Sequence, residues 1–179
     1  LNQHENYLQA DQAYGFPLLI KNLLSRAKVV SGDKKIHYAD KTSYTYQEFF
    51  KRVNRLANVL KGLNLQKGDV VAVMDWDTHR YLECYFAIPM CGYILQTVNV
   101  RLSEDKVLYT INHAKPKALL LNSEFSPMIK SHTQDAPSVE HVIWLDDNNT
   151  PMPPYAQGEY EAMLAQASDE YEFEDFDEN

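Results

Sequence analysis

Residues Ser43–Arg101, SYTYQEFFKRVNRLANVLKGLNLQKGDVVAVMDWDTHRYLECYFAIPMCGYILQTVNVR, decide the fold. Read in order they give a capped helix, a tight turn, a buried strand, a second helix and a second strand. Thr45 and Glu48 make the T-x-x-E pattern of a capping box, in which the hydroxyl and the carboxylate each take an orphan backbone N–H. Phe49, Val53, Leu56, Leu60 and Leu63 then step by helical spacings and line one apolar stripe. Lys51, Arg52, Arg55 and Lys61 fall off that stripe and read as a solvated face. Val70–Met74 is a continuous apolar run ending at Asp75, the pattern of a strand buried on both faces. Asp77 or Thr78 caps the next helix, whose residues 81–91 are apolar nearly all round, so it lies deep in the fold. Pro89 kinks or ends that helix and Gly92 closes it. Tyr93–Val98 is the following strand.

Upstream of this unit, residues 1–15 read as a polar, aromatic arm. Pro17 opens a helix carrying Leu19, Ile20, Leu23, Leu24, Ala27 and Val30 at helical spacing. Residues 35–44 make a small hairpin with its turn at Asp40-Lys41. Downstream, Ser103 caps a helix with Glu104 and Asp105 in its first turn, where the helix dipole favours anions. Lys117–Leu121 is a strand, and Ser126-Pro127 opens a short helix to about His132. Glu140–Leu145 is a strand, DDNNTPMPP a loop, and Glu159–Ala167 a last helix. Strands alternate with helical segments from residue 70 to 145. That alternation predicts an α/β fold with a mainly parallel sheet and helices on both faces. The expected layout is an arm over 1–15, an α/β body over 16–168 and an acidic tail over 169–179.

The formal net charge is −8, and seven of the acidic side chains lie in DEYEFEDFDEN at 169–179. The body is therefore almost neutral, and the tail reads as a solvated linker. No basic stripe exists to neutralise phosphates, so nucleic acid is excluded as a partner. Cys84 and Cys91 are seven residues apart on one helix and cannot pair within it. Buried structural thiols in a reducing, cytoplasmic setting are expected. No apolar stretch approaches the roughly 20 residues that span a bilayer, so no transmembrane segment is expected.

The six glycines are dispersed and build neither a GxGxxG fingerprint nor a P-loop. GxSxG and HExxH are absent as well. His79 and His113 sit on helices and read as packed or solvated. Two places at strand carboxyl ends, where ligands of open α/β sheets bind, are pocket-edge candidates. At Asp75-Trp76-Asp77, paired carboxylates suit Mg²⁺, whereas Asp77 as a helix cap and Asp75 as a solvated strand end need no ligand. Beyond the next strand, Asn99 and Arg101 offer a second place. Arg101 either clamps a phosphate or carboxylate or braces its own loop.

TYQEFFKRVNRLANVL, the GDVVAV strand, RYLECYFAIPMCG, VNVRLSED, KALLLN and APSVEHVIWLDD together resemble the N-terminal region of AMP-forming acyl-CoA synthetases, in the adenylate-forming superfamily. The order and spacing match from about Phe16 to Tyr160. The resemblance implies a fatty or related carboxylic acid as substrate, ATP and Mg²⁺ for its adenylation, and CoA for the thioester. The VNVRL wording is most similar to the medium- to long-chain fatty acyl group. The family's Ser/Thr/Gly-rich phosphate loop ending in Pro-Lys-Gly is absent, as are its aromatic-Gly-x-Thr-Glu motif, ribose-binding Asp, hinge and catalytic Lys. The resemblance therefore implies an N-terminal fragment, an incomplete domain without catalytic, cofactor-binding or metal residues of its own. Such a piece is expected to be inactive alone and to self-associate through exposed apolar surface. A stand-alone binding or assembly module that kept the scaffold without the chemistry is the other reading.

Overall fold

The computed structural model describes residues 19–176, so the arm expected over 1–15 lies outside the described residues. The chain begins with α1 (Ile20–Ser31), the hairpin β1 (Lys35–Tyr38) and β2 (Thr42–Thr45), and α2 (Tyr46–Gly62). The core unit follows as β3 (Val70–Met74), α3 (His79–Met90) and β4 (Ile94–Thr97). Next come α4 (Glu104–Ala114), β5 (Ala118–Asn122), a 3-10 turn (Ser123–Met128), α5 (His132–Asp135) and β6 (His141–Leu145). β7 (Gly158–Glu159) and α6 (Tyr160–Gln166) close the order.

β3 to β7 form a five-stranded sheet in the order β4-β3-β5-β6-β7, and every pairing is parallel. The α/β reading with a mainly parallel sheet therefore holds. Alternation along the strands divides the core in two. Val71, Val73, Ala118, Leu120, Ile143 and Leu145 face α1, α2, α3 and α6. Ala72, Met74, Leu119, Leu121, Val142 and Trp144 face α4, the 3-10 turn and the apolar residues Ile129, Ala136 and Val139 that flank α5. The stripe on α2 is buried as its spacing requires, with Phe49, Val53, Leu56 and Leu60 at 0–1% exposure.

Local details depart from expectation for physical reasons. Thr45 Oγ1 accepts from Glu48 N at 3.2 Å, but the Glu48 carboxylate accepts from Arg55 instead of closing the box. α3 includes Pro89 and ends one residue later, at Met90. Gly92 then takes φ +82, and its N–H reaches Pro89 O at 2.9 Å. The short helix expected to open at Ser126 instead begins at Ser123 as a 3-10 turn, because the Asn122 side chain accepts from Glu124 N. β7 went unread because two residues leave no periodicity.

The segment expected as a solvated linker, residues 169–176 within the described chain, runs along α2 instead. Asn54 donates to Asp169 O, and Asn58 donates to Ser168 O and Glu170 O. On the outer side of α1, Leu23, Val29 and Val30 are exposed at 71%, 86% and 69%. Among the described residues no helix is long and apolar enough to cross a membrane.

Candidate functional site at the carboxyl end of the sheet

Three neighbouring strands each end on a polar residue directly after an apolar run: Asp75 after β3, Asn122 at the end of β5 and Asp146 after β6. The parallel register sets Met74 beside Leu121 and Asn122 beside Leu145, so the three polar side chains arrive at one rim. Asp75 is 3% exposed. Its Oδ1 accepts from Trp76 N at 2.9 Å and Asn122 Nδ2 at 2.6 Å, and its Oδ2 accepts from Thr78 Oγ1 at 2.6 Å. Thr78 caps α3 by accepting from Tyr81 N, which leaves Asp77 exposed and outside the cap.

Arg80, 1% exposed, secures the underside of the rim. Its Nη2 donates to Asp147 Oδ2 at 3.0 Å, and its Nε lies 3.7 Å from Asp75 Oδ2. Asp146 is pulled below the usual carboxylate range. Burial opposes that shift, but hydrogen bonding, with Thr150 N donating to Asp146 Oδ2 at 3.0 Å, outweighs it.

Above this layer, the structure brings two of the four candidate residues together. The Arg101 guanidinium lies 5.5 Å from the Trp76 ring centroid, in cation–π range. Trp76 Nε1 donates to Glu124 Oε2 at 2.9 Å, and its ring meets Phe125 edge-on. Asn99 does not reach them; its Oδ1 accepts from Arg101 N at 3.1 Å and turns the loop that carries Arg101. Asp75 touches that pair only through the backbone N–H of Trp76.

The fit to ATP and Mg²⁺ follows from these bonds. Every Asp75 oxygen is taken by a protein donor, and Asp77 is exposed. Among the described residues no group of three His, Cys, Asp or Glu side chains is placed to hold a metal ion. Asp75 and Asp77 therefore do not form the paired-carboxylate Mg²⁺ site that their spacing suggests.

A second polar cluster lies on the other face of the sheet. Glu83, 0% exposed, stands on α3 within what reads as an apolar helix. It accepts from Arg52 Nε at 2.6 Å, Tyr44 OH at 2.7 Å and Tyr160 OH at 2.6 Å. Arg52 also forks onto Glu161 with two bonds of 2.8 Å. Burial pushes the Glu161 carboxyl up, yet His79, 3.5 Å away, and the two Arg52 bonds overcome this and hold it at about 2. Burial also drives the Tyr44 and Tyr160 hydroxyls far up, so both remain donors. Arg52, expected on a solvated face, is thus committed to a buried network, because a long side chain off the stripe can fold back under its neighbour. The signal for this cluster was the lone carboxylate of Glu83 among apolar neighbours, which demands a buried cation.

Comparison with known proteins places this architecture. Residues 24–174 match the model of the AMP-binding enzyme family. A long-chain-fatty-acid–CoA ligase of Thermus thermophilus is 33% identical over 147 residues, covering 82% of this chain and 26% of the relative. A medium-chain-fatty-acid–CoA ligase of Ectopseudomonas oleovorans is 30% identical over 168 residues, covering 90% and 31%. The chain thus spans about a quarter to a third of the length of these relatives. The crystal structure of the anthranilate CoA ligase AuaEII in complex with anthranoyl-AMP superposes with a TM-score of 0.77 at 22% identity, covering 86% of this chain and 29% of that one. At that identity the likeness concerns the fold, and it is the fold derived above. The chain belongs to the AMP-binding enzyme family, and it corresponds to the N-terminal region of AMP-forming acyl-CoA synthetases.

Proposed function

We propose that this chain is the scaffold-bearing N-terminal part of an ATP-dependent, AMP-forming fatty acid–CoA ligase. The family match over residues 24–174, shared with fatty-acid–CoA ligases at 30–33% identity, carries this reading. The enzyme adenylates a fatty or related carboxylic acid with ATP and Mg²⁺ and then forms the thioester with CoA. The 179-residue chain alone is inactive in this reading. Transition-state charge in phosphoryl chemistry needs preorganised donors, and at the rim the Asp75 carboxylate is engaged by Trp76 N, Thr78 and Asn122. The part played by these residues is to hold the sheet's carboxyl ends rigid. Free thiols at Cys84 and Cys91 support a reducing, cytoplasmic setting.

The test is pyrophosphate release with ATP, Mg²⁺, CoA and saturated fatty acids of increasing length. It is run on the chain alone and on the protein encoded by the complete reading frame. No release from the chain, with acid-dependent release from the complete protein, is expected. Release by the chain itself overturns the scaffold reading. A folded complete protein that releases none with any acid overturns the ligase reading.

A further inference from the structure

The acidic segment after α6 is held in an unusual way. Residues 168–176 have no regular secondary structure, yet their backbone carbonyls are claimed by side chains of other elements. Asn58 Nδ2 donates to Ser168 O and Glu170 O at 2.9 Å each, and Asn54 Nδ2 to Asp169 O at 2.9 Å. Lys21 of α1 donates to Phe173 O at 2.8 Å and pairs with Asp175 at 2.5 Å. Lys67 pairs with Glu174 at 2.5 Å and lies 5.0 Å from the Phe176 ring. Lys51 and Arg55 approach Asp169 at 3.5 and 3.8 Å.

Aromatic and acidic residues divide the segment between two sides. Tyr171, Phe173 and Phe176 are part-buried, while Glu170, Glu172, Glu174 and Asp175 are exposed. Phe176 rests on Gly92, where a Cβ would meet its ring at 2.9 Å. Tyr171 and the buried Cys91 line the same cavity. Cys84, one helical stretch away on α3, is 0% exposed inside the core.

We propose that residues 168–176 form a detachable strap, held on α1, α2 and the turn between α2 and β3 largely by charge, that opens and closes over Cys91 while the core stays folded. Exposed ion pairs are weak and are screened by salt. Five carboxylates between residues 169 and 175 repel one another once their cations are screened. A segment with exposed bonds and few buried contacts opens locally at a free energy well below that of global unfolding.

The two cysteines separate these events. Cys91 reports strap opening, and Cys84 reports core unfolding. Labelling the whole chain with N-ethylmaleimide and locating the adduct by mass spectrometry tests this. With rising potassium chloride, Cys91 labels progressively faster and Cys84 stays protected. Lys67→Glu raises the Cys91 rate at low salt by roughly threefold to tenfold, the range of one exposed pair turned repulsive. The new negative charge also disfavours the thiolate, so faster labelling has only the opening to explain it. Lys67→Glu combined with Glu174→Lys returns the rate towards that of the parent chain. Cys91 and Cys84 labelling in step, a Cys91 rate indifferent to salt and to Lys67→Glu, or failure of the charge swap to restore protection would each overturn the proposal.

Discussion

Two buried carboxylates, Asp75 and Glu83, stand on opposite faces of the same strand–helix unit and are satisfied in opposite ways. Asp75 draws its donors from its own neighbourhood: the next backbone N–H, the hydroxyl three residues on, and one amide across the strand ladder. Glu83 draws on residues 31 to 77 positions away, from β2, α2 and α6. The first is a local knot that fixes how β3 passes into α3. The second is a long-range ionic tie that fastens the hairpin and the last helix to the sheet. Breaking each should therefore cost different amounts and be felt in different places.

The largest effect is expected at Glu83. Glu83→Ala strands two tyrosine hydroxyls and one arm of Arg52 in a dry site, and removing one partner from a buried ionic cluster costs about 3–5 kcal/mol. Urea unfolding should show that loss. Combined with Arg52→Met it should cost less than the sum of the two single changes, because the second substitution removes the orphan left by the first. Additive losses would mean that the two side chains are independent.

Asp75→Asn keeps the shape and loses the charge-assisted acceptors for Thr78 and Asn122. A buried hydrogen bond to a charged group contributes about 1.5–3 kcal/mol, so a loss of about 2 kcal/mol is expected in the same measurement. The damage should stay local, seen as faster amide exchange at the start of α3 with the hairpin unchanged. Spread of faster exchange to β1 and β2 would erase the distinction between the two knots.

This contrast also explains what the sequence could and could not reveal. The sheet, its parallel sense and the burial of α2 and α3 follow from runs such as Val70–Met74 and the Phe49–Leu63 stripe, where period and length are enough. Thr78 was legible as a cap, since Tyr81 N lies three residues on, whereas Asp75, read as a solvated strand end, is buried because Asn122 reaches it across the strand ladder. Arg52 was not, because its place among the off-stripe cations hid a fold-back onto α3 that only the assembled helices define. Arg80, Asn122 and Asp147 were missed for the same reason: their partners meet through sheet register. The tail was misjudged because its charge suggests solvation, while the asparagines that hold it sit on α2, over a hundred residues earlier.

A pH experiment sharpens the Glu83 side of the comparison. Glu161 is held at about 2 against an ordinary value of 4.5. Its folded form therefore binds fewer protons than the unfolded chain in that interval, and its contribution is fully present above pH 4.5. It is lost as the pH falls from about 4.5 to about 2. Because Glu161 is partly exposed, screening keeps the effect modest. Thermal unfolding of the Glu161→Gln variant should fall below the parent chain at pH 6 and converge with it as the pH drops through that window. A gap that persists unchanged to pH 2 would show that the carboxylate's charge contributes nothing.

The smallest effect is expected at the rim, and it decides what Arg101 is for. The guanidinium lies over Trp76 in an exposed setting, where a cation–π contact contributes about 0.5–1 kcal/mol. Arg101→Ala should lower stability by no more than that and alter the emission of Trp76. Trp144, 2% exposed, should be unaffected. On the proposed reading of the complete protein as a fatty acid–CoA ligase, a brace and a clamp then predict different kinetics. A guanidinium that only stacks on Trp76 is tolerant of Lys, which also sits over an aromatic face, and its loss leaves KM for ATP, CoA and the fatty acid unchanged. A guanidinium that grips a phosphate or carboxylate raises KM for one of those three when replaced by either Ala or Lys, because the planar two-pronged donor is lost in both. The geometry favours the brace: Asn99 turns the loop so that Arg101 faces Trp76, and Glu124 holds the indole in place from its other edge.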